Sequence, residues 1–156
     1  MCSISCFTSP SFMRLTATLW HDMLGIAMLL ILDQVSKYIV PQWQMTYTLN
    51  QGSVAGLGRE LSIPWWWWAI PSLMVLTLLW RPGKFFIPTK SFYSARILIS
   101  SGIVGNLIDR FSYGAVLDFI DISIAGFHWP AFNFADIYLV MGVLLVLVTL
   151  VSRKHV

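Results

Sequence analysis

The sequence predicts an all-α integral membrane protein with four transmembrane helices and a small extracytoplasmic loop or β element. The first observation is composition: 57% of the 156 residues are hydrophobic and 11% are charged, whereas soluble domains are about 25% charged. With a mean hydropathy of +0.72, too few polar side chains remain to cover a soluble globule. The second observation is four apolar runs near the length of about 20 residues that crosses a bilayer.

The four predicted spans are residues 19–40, 61–80, 95–112 and 134–151. The second contains no charged residue and begins with the run Trp65–Trp68, which is typical of an anchor at the headgroup boundary. Four spans leave only short loops in this chain. We therefore expect a single transmembrane domain over residues 1–156.

Lysine and arginine placement predicts that both termini face the cytoplasm, because loops on that side are enriched in basic residues. Seven of the ten basic residues then lie on the cytoplasmic side: Arg14, Arg81, Lys84, Lys90, Arg96, Arg153 and Lys154. They form no continuous basic surface, so nucleic acid is not an expected partner.

The same topology places six of the seven acidic residues at the outer membrane face and leaves only Asp22 at the other. Ionisable groups at membrane depth are costly and are functional candidates by default. His128 is the single histidine of the sequence on the outer side, and metal sites normally show a tighter ligand cluster. We therefore predict a site that uses carboxylates, with no metal and no cofactor.

Two segments share the pattern Asn-x-x-Asp, namely Asn106 with Asp109 and Asn133 with Asp136. A spacing of three puts both side chains on one helix face, where the amide can hold the carboxylate by hydrogen bonding. Asp118 lies between the two segments and can reach Asp136. Two carboxylates at a low-dielectric boundary cannot easily both ionise. Such a pair suits peptide hydrolysis, because one takes a proton from water while the other polarises the carbonyl.

Other acidic residues have simpler interpretations. Asp33 and Lys37 are four apart on a helix, which predicts a structural ion pair. Asp109 with Arg110 suggests a structural or substrate-orienting network, and Asp121 is interpreted as a solvated loop residue.

Five short motifs follow one another along the chain: Asp33-Gln-Val-Ser-Lys37, Asn50-Gln-Gly52, Gly105-Asn-Leu-Ile-Asp-Arg110, Val116-Leu-Asp118-Phe and Phe132-Asn-Phe-Ala-Asp136. In this order they resemble the motifs of the lipoprotein signal peptidase (signal peptidase II) family. The resemblance implies that Asp118 and Asp136 are the catalytic pair. It also implies a group of residues that support the site or bind substrate: Asn50, Gly52, Asn106, Asp109, Arg110 and Asn133.

The resemblance further implies an aspartic endopeptidase that removes the signal peptide of diacylglyceryl-modified prolipoproteins just before the lipidated cysteine. The expected location is the bacterial cytoplasmic (inner) membrane, with the active site at the outer face. Expected partners are the prolipoprotein and membrane lipid, and the expected state is a monomer. The family usually has two alanines and an aromatic residue where Ser53-Val-Ala55 stands here, a difference that bears on substrate fit.

Two other functions are compatible with the residues. A small transporter could use the acidic cluster as a relay, although transport normally needs polar residues deep within several spans. A non-catalytic relative that binds lipopeptides is the second alternative, and it predicts that replacing either aspartate leaves function intact.

Overall fold

A computed structural model describes residues 10–43, 45–52, 64, 66–81 and 89–153. Within these residues the chain is mostly helical, as predicted, with a small β element. The helices are α1 (Pro10–Gln42), α2 (Trp66–Trp80), α3 (Lys90–Tyr113) and α4 (Phe134–Arg153). The strands are β1 (Thr48–Asn50), β2 (Val116–Asp118), β3 (Ile120–Ile124) and β4 (Phe127–Phe132). The segment Ser53–Ala55 lies outside the described residues.

Two of the described helices are long and apolar enough to cross a membrane by length and composition, over Thr18–Gln42 and Phe134–Ser152. They coincide with the first and fourth predicted spans. The described part of α2 has 15 residues, and most of the beginning of its predicted span lies outside the described residues. Helix α3 covers the third predicted span, but several polar side chains lower its mean hydropathy.

Those polar side chains are buried because α3 is the central helix of the bundle and packs against α1, α2 and α4. Its contact with α4 is close because a glycine on each helix leaves room for atoms of the other helix. A Cβ atom added to Gly102 would lie 2.5 Å from the carbonyl oxygen of Ala135. One added to Gly142 would lie 2.5 Å from Cγ1 of Ile99. A larger side chain at either position would push the two helices apart.

A buried ion pair joins α1 to α3 at the end of the helices that lies away from Asp33 and Asp109. Arg96 donates to the carboxylate of Asp22, and both side chains are buried. The Arg96 guanidinium also lies 4.3 Å from the centre of the Trp80 ring, a cation–π geometry. Trp80 Nε1 donates to Ser100 Oγ at 3.0 Å. This cluster attaches the end of α2 to the bundle.

The strands form two antiparallel pairs, β1 with β2 and β3 with β4. Helix α3 ends at Gly114, whose φ of 69° lies in the left-handed region that favours glycine, and the chain then turns into β2. The β3–β4 hairpin reverses through Ala125 and Gly126, both with positive φ, as tight two-residue hairpins require. Asp121 is exposed as expected, but it belongs to β3 and not to a loop.

Candidate active site

The candidate site forms where α1, α3, the start of α4 and the β1–β2 pair meet. This region contains every residue that the sequence singled out as catalytic, supporting or ion-paired: Asp33, Lys37, Asn50, Gly52, Asn106, Asp109, Arg110, Asp118, Asn133 and Asp136. They come from segments far apart in the chain. The fold therefore brings together the polar residues that the motifs contribute.

Asp118 is held by two asparagine amides. It is the last residue of β2 and is 2% exposed. Asn50, on the paired strand β1, donates from Nδ2 to Asp118 Oδ2 at 3.0 Å. Asn133 donates from Nδ2 to Asp118 Oδ1 at 2.7 Å. Both carboxylate oxygens are thus oriented, and the carboxyl group has little freedom to rotate.

The pKa of the Asp118 carboxyl is raised from 3.8 to about 6. Burial is the largest cause, since removal from water penalises the charged form. The hydrogen bond from Asn50 opposes this shift, and the nearby negative charge of Asp136 adds to it. The pKa of Asp118 therefore lies nearer to neutral pH than that of a solvated aspartate.

Asp136 lies in the first turn of α4 and also accepts two hydrogen bonds. Asn106 Nδ2 donates to its Oδ1 at 2.9 Å, and the backbone N–H of Asn133 donates to its Oδ2 at 3.3 Å. In return the Asp136 backbone N–H donates to Asn133 Oδ1 at 3.0 Å. This reciprocal pair is a capping box at the helix start, where the macrodipole favours a negative charge.

The side-chain amides of the two asparagines in the repeated pattern each bind a carboxylate outside their own pattern. We expected the amide of each Asn-x-x-Asp to hold the carboxylate in its own pattern. Instead, the side-chain amide of Asn106 donates to Asp136, and that of Asn133 donates to Asp118. Asp109 is left for other partners. The expectation was wrong because each asparagine faces a neighbouring segment, which spacing within one segment does not reveal.

Lys37 is the centre of a buried charge network beside the two aspartates. Its Nζ lies 2.8 Å from Asp33 Oδ2 and 2.7 Å from Asp109 Oδ2. It also donates to Asn106 Oδ1 at 3.3 Å. The side chains of all three charged residues are at most 4% exposed. Asp33 and Lys37 thus have the expected i,i+4 geometry, but the pair is part of a larger network.

Asp109 and Arg110 have different partners, although they are adjacent in sequence. Asp109 contacts Lys37, while Arg110 donates from Nη2 to the carbonyl oxygen of Gly52 at 3.1 Å. The N–H of Gly52 in turn donates to Asn50 Oδ1 at 2.9 Å. Arg110 therefore fixes the chain just after β1, and so the asparagine that holds Asp118.

Gln34 was not singled out from the sequence. Its Nε2 donates to Asp33 Oδ2 and to Asp109 Oδ1, both at 3.1 Å. The only signal for it was its place inside the motif Asp33–Lys37, and helix periodicity alone gives it no role. In the structure, Gln34 belongs to the network around Lys37, where it orients the carboxylates of Asp33 and Asp109.

A cavity of about 620 Å³ opens beside the two aspartates. Its polar end is formed by Asp118, Asp136, Asn50, Asn106 and Arg110. Its apolar walls come from α2, α4 and the hairpin, and include Trp68, Pro71, Ile137, Val140, Met141, Trp129 and Phe132. A cavity with one polar end and long apolar walls suits a ligand that is itself largely apolar.

Trp68 differs in role from its neighbours in the predicted aromatic anchor. Trp66 and Trp67 are exposed on the surface of α2, as an interfacial anchor requires. Trp68 lines the cavity beside Pro71. The sequence predicts an interfacial anchor rather than a substrate groove for the whole run, because four identical residues contain no signal that distinguishes one from another.

His128 lies on the hairpin, where its Nδ1 is 3.2 Å from Asp121 Oδ1 and both side chains are well exposed. Within the described part of the chain, no three histidine, cysteine, aspartate or glutamate side chains are grouped as metal ligands. The site therefore offers hydrogen-bonded carboxyl groups rather than a ligand cluster.

Comparison with known proteins agrees with these motifs. Residues 25–152 match the family model described as signal peptidase (SPase) II. The chain belongs to the signal peptidase II family. It is therefore a peptidase and a membrane protein, and the resemblance stated from the sequence is confirmed.

Two curated relatives illustrate the similarity over most of the chain. The lipoprotein signal peptidase of Thermodesulfovibrio yellowstonii is 31% identical, covering 81% of this chain and 92% of that protein. That of Paraburkholderia phytofirmans is 37% identical, covering 80% of this chain and 81% of that protein.

Solved structures show the same fold. One bacterial membrane enzyme, determined by the in meso method, has a TM-score of 0.73 at 30% identity and covers 86% of this chain and 89% of its own. A second has a TM-score of 0.69 at 31% identity, with coverages of 83% and 92%.

Proposed function

We propose that this chain is an aspartic endopeptidase that removes the signal peptide from diacylglyceryl-modified prolipoproteins, cutting just before the lipidated cysteine. Its relatives carry the name lipoprotein signal peptidase. The observation that carries the catalytic type is the arrangement of Asp118 and Asp136. Both are joined to Asn133, and both lie at the polar end of an apolar cavity.

The proposed chemistry uses one proton shared by the pair. Two neighbouring carboxyl groups hold one proton between them because the second ionisation places two like charges together. The ionised aspartate takes a proton from water, whose oxygen attacks the scissile carbonyl carbon. The protonated aspartate hydrogen-bonds the oxyanion as it forms. When the C–N bond breaks, a carboxyl group returns a proton to the leaving amine.

This scheme assigns all proton transfers to the two carboxyl groups and needs no metal or cofactor. Asn50, Asn106 and Asn133 hold the four carboxylate oxygens through their amides and one backbone N–H. Because the donors are already oriented, little reorganisation is needed when charge develops. Gly52, Asp109 and Arg110 act further out, by holding the segments that carry these groups.

The proposed setting is the bacterial cytoplasmic membrane, with four spans, both termini inside and the site at the outer face. The chain would act as a single transmembrane domain and as a monomer. The distribution of basic residues supports the orientation. The large exposed hydrophobic side chains along α1, α2 and α4 support contact with lipid. A lipid-anchored substrate would present its cleavage region at this depth.

The test is cleavage of a diacylglyceryl prolipoprotein by the purified protein in detergent, beside Asp118→Asn and Asp136→Asn. We expect wild type to cut before the lipidated cysteine and each variant to lose at least about 100-fold in rate, the usual contribution of general acid–base catalysis. Asp121→Asn is the matched control, since this exposed carboxylate lies three residues from Asp118 and outside the cavity lining.

Two results would contradict the proposal. If wild type binds the lipopeptide but does not cut it, the non-catalytic alternative replaces it. If wild type cuts and either asparagine variant keeps the full rate, the aspartic mechanism is wrong. A circular dichroism spectrum and melting curve for each variant exclude loss of fold as the cause of inactivity.

A further inference from the structure

Lys37 occupies an unusual position, because each of its contacts leads to one of the two aspartates of the proposed site. Its ammonium group has three donors, and the structure shows three acceptors: Asp33, Asp109 and Asn106. A simple helical ion pair would use one of them. The other two contacts connect α1 to α3.

The two carboxylates that hold Lys37 also hold backbone next to the catalytic pair. Asp33 Oδ1 accepts from the backbone N–H of Ala135 at 3.0 Å, immediately before Asp136. Asp109 Oδ2 accepts from the backbone N–H of Leu117 at 3.3 Å, immediately before Asp118. The network around Lys37 therefore fixes the chain on the N-terminal side of both aspartates.

The third contact determines which end of the Asn106 amide faces Asp136. An ammonium group can only donate, so the Asn106 atom that faces Lys37 must be the oxygen. The amide nitrogen then points the other way, where it donates to Asp136 Oδ1 at 2.9 Å. With the amide reversed, an oxygen would face the Asp136 carboxylate, which is compatible only with a protonated carboxyl group.

The hydrogen bond from Asn133 to Asn106 Oδ1 is weaker than the one from Lys37. Its Nδ2 also approaches Asn106 Oδ1, at 3.3 Å. The same nitrogen is shared with Asp118 Oδ1 at 2.7 Å and with the carbonyl oxygen of Leu117 at 3.4 Å. Its shortest bond goes to Asp118, whereas Lys37 brings a full positive charge to Asn106, and hydrogen bonds from charged donors are the stronger kind.

We propose that Lys37 is a positioning residue that orients the Asn106 amide toward Asp136, and thereby sets the pH at which the carboxyl pair becomes active. This inference rests on the proposed aspartic mechanism. The charged groups that face the pair come from every packed element that carries one: Asp33 and Lys37 from α1, Asp109 and Arg110 from α3, Asp118 from β2 and Asp136 from α4.

The experiment compares pH–rate profiles of kcat/KM for wild type and Lys37→Met in detergent. Loss of a donor to a carboxylate favours its protonated form, so the acidic limb of the profile should move to higher pH. We expect a shift of about one pH unit, the size of one hydrogen bond to a charged group.

A second pair of variants separates orientation from the charge of Lys37. Asn106→Ala removes the amide, so only the direct charge of Lys37 still acts on the pair in that background, and Lys37→Met should add a clearly smaller shift than it does in wild type. If the shift is equally large without the amide, Lys37 acts through space as a charge and the inference is overturned.

A charge-conserving variant addresses folding. Lys37→Met with Asp109→Asn removes one positive and one negative charge, so the network keeps its net charge and leaves fewer buried charges unpaired. We expect the same upward shift as in Lys37→Met. An unshifted profile in this folded double variant contradicts the inference.

Arg96→Met is the matched control, because it removes a buried cation from an ion pair at the other end of the helices. It should lower the melting temperature and leave the midpoint of the acidic limb within about 0.2 pH units, since Arg96 precedes Asn106 by ten residues of α3, about 15 Å along the helix axis, and has its own carboxylate partner. A shift of the midpoint equal to that of Lys37→Met would show a general effect of destabilisation and overturn the inference.

An infrared titration of the carboxyl C=O stretch of the purified proteins gives a readout that needs no turnover. Asp136→Asn identifies the band that belongs to the pair. If wild type cleaves nothing, the proposed function fails while the infrared midpoints still decide the role of Lys37. If wild type cleaves but neither midpoint moves in the lysine variants, only the positioning role fails.

Discussion

The two ends of the helix bundle each contain a buried cation, and the two differ in how they are neutralised. Among the residues that the structure describes, Arg96 pairs with the carboxylate of Asp22 and lies against the rings of Trp80 and Tyr93. Lys37 has two carboxylates and an amide, beside two further carboxyl groups and an open cavity. The comparison teaches that burial of charge does not itself indicate a functional site. A functional site is indicated instead by an excess of carboxyl groups over cations next to an open cavity.

The ion pair of Asp22 with Arg96 offers the largest expected effect on stability. Arg96→Met leaves the Asp22 carboxylate buried without its partner, which typically costs about 3–5 kcal/mol. We expect a lower melting temperature in detergent and an unchanged rate per folded molecule. The double variant Asp22→Leu with Arg96→Met should recover most of the loss, because apolar replacement of a whole buried pair is close to neutral. A double variant as unstable as the single one would show that the pair has a further role.

Among variants that keep both aspartates, those in the site around Asp118 and Asp136 offer the largest expected effect on activity. Asn133→Ala removes the amide that binds Asp118 and the cap that holds the start of α4. We expect a fall in kcat of about 100-fold, because the hydrogen bond to the Asp118 carboxylate is lost together with the acceptor that caps the Asp136 backbone N–H. Asn50→Ala removes the other hydrogen bond to the Asp118 carboxylate and the acceptor of the Gly52 N–H, but it leaves the cap of α4 intact and should cost about 10-fold. Single-turnover cleavage measures both, and equal losses would contradict the bridging role of Asn133.

The elevated pKa of Asp118 predicts that its charge lowers stability. The folded pKa of about 6 exceeds the ordinary value of 3.8, so the folded state binds more protons between these values and stability falls as pH rises through this window. Above pH 6 the cost is fully present, at about 3 kcal/mol. Asp118→Asn removes this cost. It also destabilises the folded state by about 1 kcal/mol, because the new side-chain amide group faces an amide donor in place of a carboxylate oxygen.

We therefore expect Asp118→Asn to be inactive yet more stable than wild type by about 2 kcal/mol at pH 8, with the difference shrinking or reversing at pH 4. Thermal unfolding at the two pH values measures this. Asp121→Asn, at an exposed carboxylate, should show no such pH-dependent difference. A stability difference for Asp118→Asn that is the same at both pH values would contradict the folded pKa.

The exposed pair on the hairpin offers the smallest expected effect. His128 and Asp121 lie 3.2 Å apart with both side chains in solvent, and such surface pairs contribute about 0–1 kcal/mol. We expect His128→Ala to change the melting temperature little and to leave kcat/KM within about two-fold. A large loss of cleavage would show that the hairpin's polar face contacts substrate.

The fold and the site could be predicted to different extents. Hydropathy and the motifs predicted a mostly helical membrane protein with a small β element and the correct family. Of the four predicted spans, the described helices identify two by composition, because α3 carries buried polar residues that lower its hydropathy. The motifs also selected the residues that meet at the site, while the catalytic roles of Asp118 and Asp136 stay predictions.

The sequence alone thus determined three things. It indicated that lipid surrounds the protein, it identified the family, and it selected the polar residues that form the site. Tertiary structure alone decided how those residues pair: Asn106 with Asp136, Asn133 with Asp118, Lys37 with Asp109, and Trp68 with the cavity. Periodicity states which residues share a face of one helix. It contains no information on which other segment packs against that face, because such partners are tens of residues away in sequence and meet only when the helices assemble.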